Sequence, residues 1–278
     1  MRFISGLMFV FFSALALFWF WINYPVARNW MIDLFKTKKY TTLEVRFSAE
    51  ALMEKHKKEL LKDSAHTFLE PSLMFHPYLL MEVKYSRSSD KTSEGLVLWS
   101  MCDGEMVTNV SSWETTHGFI DCIRAGADRY DFKVINTLAA SGGSMDRETL
   151  LKRLNVETDK LDDWLEACKR KSLVVQNGNF YRLHFQNPRF YVVPETRFEQ
   201  HLATKEFRSI SRVRNTYRSS QIEGLAKAAF GIDFTIRKTT LVYLPVYTIT
   251  VQNPDGSQTI TYWNALNGKR LPETYNMD

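Results

Sequence analysis

Leu73 to Tyr85 reads LMFHPYLLMEVKY, and Leu241 to Asn253 reads LVYLPVYTITVQN. Aligned on Pro77 and Pro245, apolar side chains fall at every second place. They are Leu73, Phe75, Leu79, Met81 and Val83 in the first stretch, and Leu241, Tyr243, Tyr247, Ile249 and Val251 in the second. A period of two marks a half-buried strand. Each strand meets a polar turn, Ser86 to Glu94 or Asn253 to Gly256, and then a second strand holding Trp99 or Trp263. A glycine, Gly104 or Gly268, stands five residues beyond the tryptophan in both. Asp255 followed by Gly256 between alternating runs is a hairpin signal.

Upstream of each strand lies a helical stretch at the same distance from its proline, Ala49 to Leu61 in one copy and Gln221 to Phe230 in the other. In the second, Ile222, Leu225, Ala226 and Ala229 line one helix face. The expectation is an internal repeat of helix, strand, hairpin and strand. With the pattern Trp263, Asn264, Ala265, Leu266, Asn267, Gly268, each copy resembles the small α-β-β units of PepSY-like domains over about 45 residues. Pro77 and Pro245 have no N–H for a ladder, so each is expected on an edge or at a bulge. An edge strand there also offers a partner strand a place to add.

Between the copies, Asp128 to Phe185 reads as three helices and a hairpin. The first helix carries Tyr130, Val134, Ile135 and Leu138 and stops at Ser141, Gly142 and Gly143. Ser144 is read as the cap of a second with Leu150, Leu151 and Leu154 buried, and the third places Leu161, Trp164, Leu165 and Cys168 on one face. The strands Leu173 to Gln176 and Phe180 to Phe185 close around Asn177 and Gly178. This order resembles a winged-helix domain, and the resemblance implies a third helix that enters the DNA major groove. Its own residues oppose that role. Glu157, Asp159, Asp162, Asp163 and Glu166 outnumber Lys160 on its first turns, and phosphate binding draws on cations. The wing tip, Gln176 to Asn179, has no basic residue, and Lys169, Arg170 and Lys171 suit the helix C-terminus.

At the N-terminus, Phe3 to Ile22 is a run of 20 uncharged residues, long enough for the roughly 30 Å hydrocarbon core of a bilayer. The run ends in an interfacial aromatic belt of Trp19, Trp21 and Tyr24, with Trp30 beyond it. A cleaved signal peptide would have a shorter apolar core and a small-residue cleavage site, and Pro25, Val26 and Ala27 do not make one. Arg28, Lys36, Lys38, Lys39 and Arg46 after the run place the globular part in the cytoplasm.

The expected fold class is α+β, with a transmembrane helix and two α-β-β modules flanking a winged helix. Its parts are an anchor over 1–27, a juxtamembrane linker over 28–47, a first module over 48–127, the winged helix over 128–187, and a basic connector with the second module over 188–278. With 36 basic against 31 acidic residues the formal charge is +5, and 8 Pro with 12 Gly exclude a collagenous or low-complexity chain. Cys102, Cys122 and Cys168 are odd in number and far apart, so neither a disulfide framework nor a cysteine zinc site is indicated. The six histidines, His56, His66, His76, His117, His184 and His201, show no metal spacing, and no GxSxG or phosphate-loop motif appears. Gly142 and Gly143 read as a helix terminator. Trp113 to Phe119, followed by Cys122, is rich in polar and aromatic types, which loop packing suffices to explain, a functional pocket being the lesser alternative.

No cofactor, metal or small-molecule substrate is inferred. The leading expectation is a non-enzymatic scaffold or assembly subunit at the inner membrane, in contact with membrane or cytoplasmic proteins of an envelope complex. The alternative is a nucleic-acid binder. It would use Arg208, Arg212, Arg214 and Arg218, whose spacings of four pair them on a helix surface, in the plain reading a solvated basic face and otherwise a grip for phosphate or anionic lipid.

Overall fold

Two strands far longer than the rest organise the protein. β3 (Ser72–Ser88) has 17 residues and β11 (Thr235–Gln252) has 18. They pair antiparallel with His76 opposite Leu244, Phe75 opposite Pro245 and Pro77 opposite Tyr243, so the pairing reads alike from either end. Each continues into an antiparallel neighbour, β4 (Lys91–Ser100) or β12 (Gln258–Asn264). Leu79 faces Trp99 in one pair and Tyr247 faces Trp263 in the other. Trp99 then faces Met106 of β5 (Met106–Asn109), as Trp263 faces Arg270 of β13 (Arg270–Leu271).

The structure, a computed structural model, describes residues 38–88, 91–185, 187–199, 202–207 and 211–272. The remaining elements of the large sheet are β1 (Lys38–Leu43), β2 (Thr67–Phe68), β6 (Glu114–Thr115) and β10 (Leu202–Phe207), in the path β10-β1-β11-β3-β4-β5-β6 with β2 and β12 also on β11. The chain falls into two compact units, 40–205 with 209–278, and 1–39 with 206–208. Almost all of the second lies outside the described residues.

Both prolines lie inside long strands, which corrects their expected place on an edge or bulge. Within a strand, N–H and C=O of one residue point to the same side. The Pro77 carbonyl accepts from Met101 N at 3.1 Å and that of Pro245 from Ala265 N at 3.0 Å, so each missing N–H faces that side too. There each strand exchanges neighbours. β11 leaves Thr42 of β1 at Tyr243 and meets β12 at Val246, and β3 leaves a bridge to Arg212 at Phe75 and meets β4 at Tyr78. The proline falls in the gap, where no donor is required.

The helices are exchanged between the halves. α1 (Ala49–Lys55) and α2 (Lys57–Leu60) precede β3 in sequence, yet Leu52 and Leu60 pack with Ile249, Val251 and Trp263 of the second half. α7 (Ser219–Phe230; α3 to α6 follow below) precedes β11, yet Ile222, Leu225, Ala226 and Ala229 pack with Leu79, Met81 and Trp99 of the first. The backbone repeats the exchange. Arg46 N and Phe47 N both donate to Ala265 O at 2.9 Å, and Thr216 N and Tyr217 N both donate to Met101 O at 3.0 Å. The Ala49 to Leu61 helix is interrupted at His56, whose ring lies 4.3 Å from that of Trp263.

Between the halves come α3 (Phe119–Ala125), α4 (Arg129–Ala140), β7 (Ser144–Asp146), α5 (Arg147–Leu154), α6 (Thr158–Arg170), β8 (Val174–Asn177) and β9 (Phe180–Leu183). The three strands form a separate sheet in the order β7-β9-β8. Ser144 starts β7 rather than capping a helix. Met145 is buried opposite Tyr181, and the cap of α5 is Asp146, which accepts from Thr149 N at 3.0 Å. One buried cluster runs without break from Trp99 through Phe119 and Phe132 to Leu161 and Leu165.

Two expectations are corrected here. Among the described residues no helix is long and apolar enough to cross a membrane. The longest, α6, has 13 residues and spans about 20 Å with one charged face, short of the ~30 Å required. This overturns the transmembrane part of the fold class, the single-pass description and the inner-membrane localisation. The run Phe3 to Ile22 and the belt Trp19, Trp21, Tyr24 and Trp30 lie outside the described residues. The second correction is the arginine segment. Residues 211–218 are extended and turn-like, and α7 begins only at Ser219, so the spacings of four do not place arginines on a helix.

Candidate functional site

After each tryptophan the chain makes the same turn, Trp99-Ser-Met-Cys-Asp-Gly-Glu105 in one half and Trp263-Asn-Ala-Leu-Asn-Gly-Lys269 in the other. Asp103 Oδ1 accepts from Glu105 N at 3.0 Å, as Asn267 Oδ1 accepts from Lys269 N at 3.0 Å. Ser100 N donates to Glu105 O at 2.9 Å, as Asn264 N donates to Lys269 O at 2.9 Å. Gly104 and Gly268 both take the left-handed backbone, with φ of +75° and +70°. A Cβ on Gly104 would meet the tip of Ile123 at 2.7 Å, a side-chain end that can shift, so it is the left-handed backbone that asks for glycine there.

The halves differ in the residue after that glycine. Glu105 turns inward, its Oε1 accepting from Gly118 N at 2.9 Å and Ile120 N at 3.0 Å, and its Oε2 accepting from the Thr116 hydroxyl at 2.6 Å. Lys269 instead donates to Ser112 O at 3.2 Å. Between the two turns opens a cleft of about 510 Å³, lined by Asp103, Glu105, Trp113, Thr116, His117 and Arg124 from one half and Lys269 and Arg270 from the other. Burial pushes the Glu105 carboxyl above its ordinary range, against the pull of its three hydrogen bonds. A carboxylate so engaged fixes the start of α3.

Glu105→Gln keeps an oxygen for the two N–H groups and is expected to cost no more than about 1 kcal/mol, whereas Glu105→Leu strands three donors and should cost about 2 kcal/mol. Urea unfolding of the two variants measures the difference, and equal losses would contradict the anchor role.

Cys122 is buried, and its thiol is pushed up by burial and by the Glu105 charge. Cys102 is pushed up to about 12 and Cys168 is raised likewise, both chiefly by burial. Thiols held so far from ionisation are poor nucleophiles. Among the described residues no group of three His, Cys, Asp or Glu is placed to hold a metal ion.

The residues singled out from sequence are placed apart. The Arg212 guanidinium lies 5.2 Å from the Tyr40 ring centre and donates to Tyr243 Oη at 3.4 Å. Arg214 gives its carbonyl to Cys102 Sγ at 3.9 Å, and Arg218 N donates to Gln221 Oε1 at 2.9 Å at the start of α7. Arg208 lies outside the described residues. Pro77, Trp99, Gly104, Pro245, Trp263 and Gly268 are the framework described above. Glu105 was missed, because its signal appears only when the two turns are aligned and Glu105 falls against Lys269.

On α6 the acids are partly spent within the module. Asp162 takes two hydrogen bonds from Arg147, at 2.9 and 2.7 Å, while Glu157 pairs with Lys160 at 2.8 Å and Glu166 with Lys169 at 2.9 Å. Asp159 and Asp163 remain exposed, and so do Gln176 to Asn179 at the hairpin tip, with Phe180 57% exposed beside them. Comparison with protein-family models, with curated proteins and with solved structures found no match to this chain.

Proposed function

We propose that the protein is a non-enzymatic adaptor acting through protein–protein contacts, and that its central module is a winged helix turned from nucleic acid to protein. The observation that carries this reading is the outward face of α6. Asp159 and Asp163 are exposed on it, while Arg147 is locked in a two-point bond to Asp162 and Lys160 pairs with Glu157. A duplex brought against this face meets carboxylates where it needs cations. The exposed Phe180 at the hairpin suits an apolar contact instead. In the second half, Arg212 faces Tyr40 and Tyr243, which leaves it little freedom to follow a phosphate backbone.

The test is the affinity of the full chain for a labelled 20-base-pair duplex, read by fluorescence anisotropy. Binding should be no tighter than the non-specific range of about 10⁻⁴ to 10⁻⁶ M at physiological salt. Asp159→Lys with Asp163→Lys should strengthen it. Sequence-specific nanomolar binding that these changes abolish would overturn the reading.

A further inference from the structure

A second groove, of about 690 Å³, runs between α4 and the end of α7. Arg129, Phe132, Lys133 and Asn136 of α4 follow one another at the spacing of a single helix face, and Lys227, Phe230, Ile232 and Phe234 close the other side. The floor is apolar, and Asn136 Nδ2 ties the two walls by donating to Ala229 O at 2.9 Å. Among the described residues no carboxylate lines the groove, and Asp233, between Ile232 and Phe234 in sequence, is not part of its wall.

Two of the three cations lie against rings. Arg129 lies 4.6 Å from the centre of the Tyr130 ring and bonds its hydroxyl, and Lys133 lies 5.8 Å from Tyr130 and 5.1 Å from Trp164. Tyr130 and Trp164 stack at 5.2 Å. Among the described residues none of Arg129, Lys133 and Lys227 forms an ion pair with a carboxylate. At the rim Ile232 is 92% exposed, an apolar side chain in water beside fixed positive charge.

We propose that this groove is the docking site for an acidic segment of a partner protein, in which two or more carboxylates flank an apolar side chain. The proposal rests on the adaptor reading and names the chemistry of its partner. Charge complementarity selects the acids, and the phenylalanine floor with Ile232 selects the apolar anchor. A long polyanion is disfavoured because α6, whose Trp164 lies beside Lys133, also carries the exposed Asp159 and Asp163.

A random dodecapeptide phage library, panned on the full chain, tests the proposal. The enriched sequences should carry at least two acids around an apolar residue. A fluorescein-labelled consensus peptide should then lose about tenfold or more in affinity to Lys133→Glu with Lys227→Glu, less to Ile232→Ser, and weaken as salt rises. Circular dichroism of both variants checks that they remain folded. No enrichment, a consensus without acids, or an acidic consensus indifferent to the charge reversal would each overturn the groove. Selected peptides that bind elsewhere would leave the adaptor reading standing, while specific duplex binding through α6 would remove it. Phosphatidylserine vesicles bound as tightly, and lost in the same variant, would assign the groove to lipid and overturn the peptide proposal.

Discussion

Trp99→Ala should destabilise the protein by about 3 to 5 kcal/mol, the cost of emptying a fully buried indole site. Trp99 has no exposure, and its ring lies 4.8 Å from Phe119 and 6.2 Å from Phe230 of α7. Its Nε1 also donates to Gly104 O at 2.7 Å, so the ring holds the glycine turn closed. Trp99→Phe keeps much of the volume and strands that carbonyl, for a loss of about 1 to 2 kcal/mol. Trp263→Ala should match Trp99→Ala in packing cost, since Trp263 is 1% exposed at the same place in the other half. Equilibrium urea unfolding reads all three. A loss below about 1 kcal/mol for either alanine variant would mean that the tryptophans do not close the two halves.

The second large effect is a loss of stability in acid through His76. The ring is buried in the β3–β11 pairing, opposite Leu244, and burial lowers its pKa from 6.5 to about 4. The unfolded chain therefore takes up this proton at a higher pH than the folded protein. The contribution of neutral His76 is complete above pH 6.5, and it is lost as the pH falls from there towards 4. Over that window the loss amounts to about 3 kcal/mol. His76→Leu removes the titration, so its stability should change less with pH than that of the native protein between those limits. Parallel pH profiles for the two proteins would contradict a buried, neutral His76.

The strands were legible because a period of two over a dozen residues has no competing explanation, and the shared tryptophan and glycine fixed their order. The prolines were legible as lost donors. Their place inside the sheet was not, because it depends on where a neighbouring strand ends, and no local pattern records that. β7 was hidden for a related reason. It has three residues and one buried side chain, Met145, so Ser144 read more readily as a helix cap.

The arginine segment failed through a false period. Spacings of four suit a helix, but residues 211–213 are held extended by the bridge to Phe75, a contact far away in sequence. The Trp113 to Phe119 stretch proved to line the cleft between the two turns, and its organising residue, Glu105, lies outside it. Nor does any sequence pattern state that α1 covers the second half and α7 the first. That exchange follows from which apolar faces meet after the long strands have paired.

The exchange makes the two halves one cooperative body, and a double-mutant cycle tests it most directly. Leu52 of α1 shares a buried cluster with Trp263 and not with Trp99. Leu52→Ala with Trp263→Ala should show an interaction energy of about 1 kcal/mol or more, while Leu52→Ala with Trp99→Ala should be additive within about 0.5 kcal/mol. The opposite pattern, coupling of Leu52 to Trp99 and additivity with Trp263, would place each helix on its own strands and contradict the account.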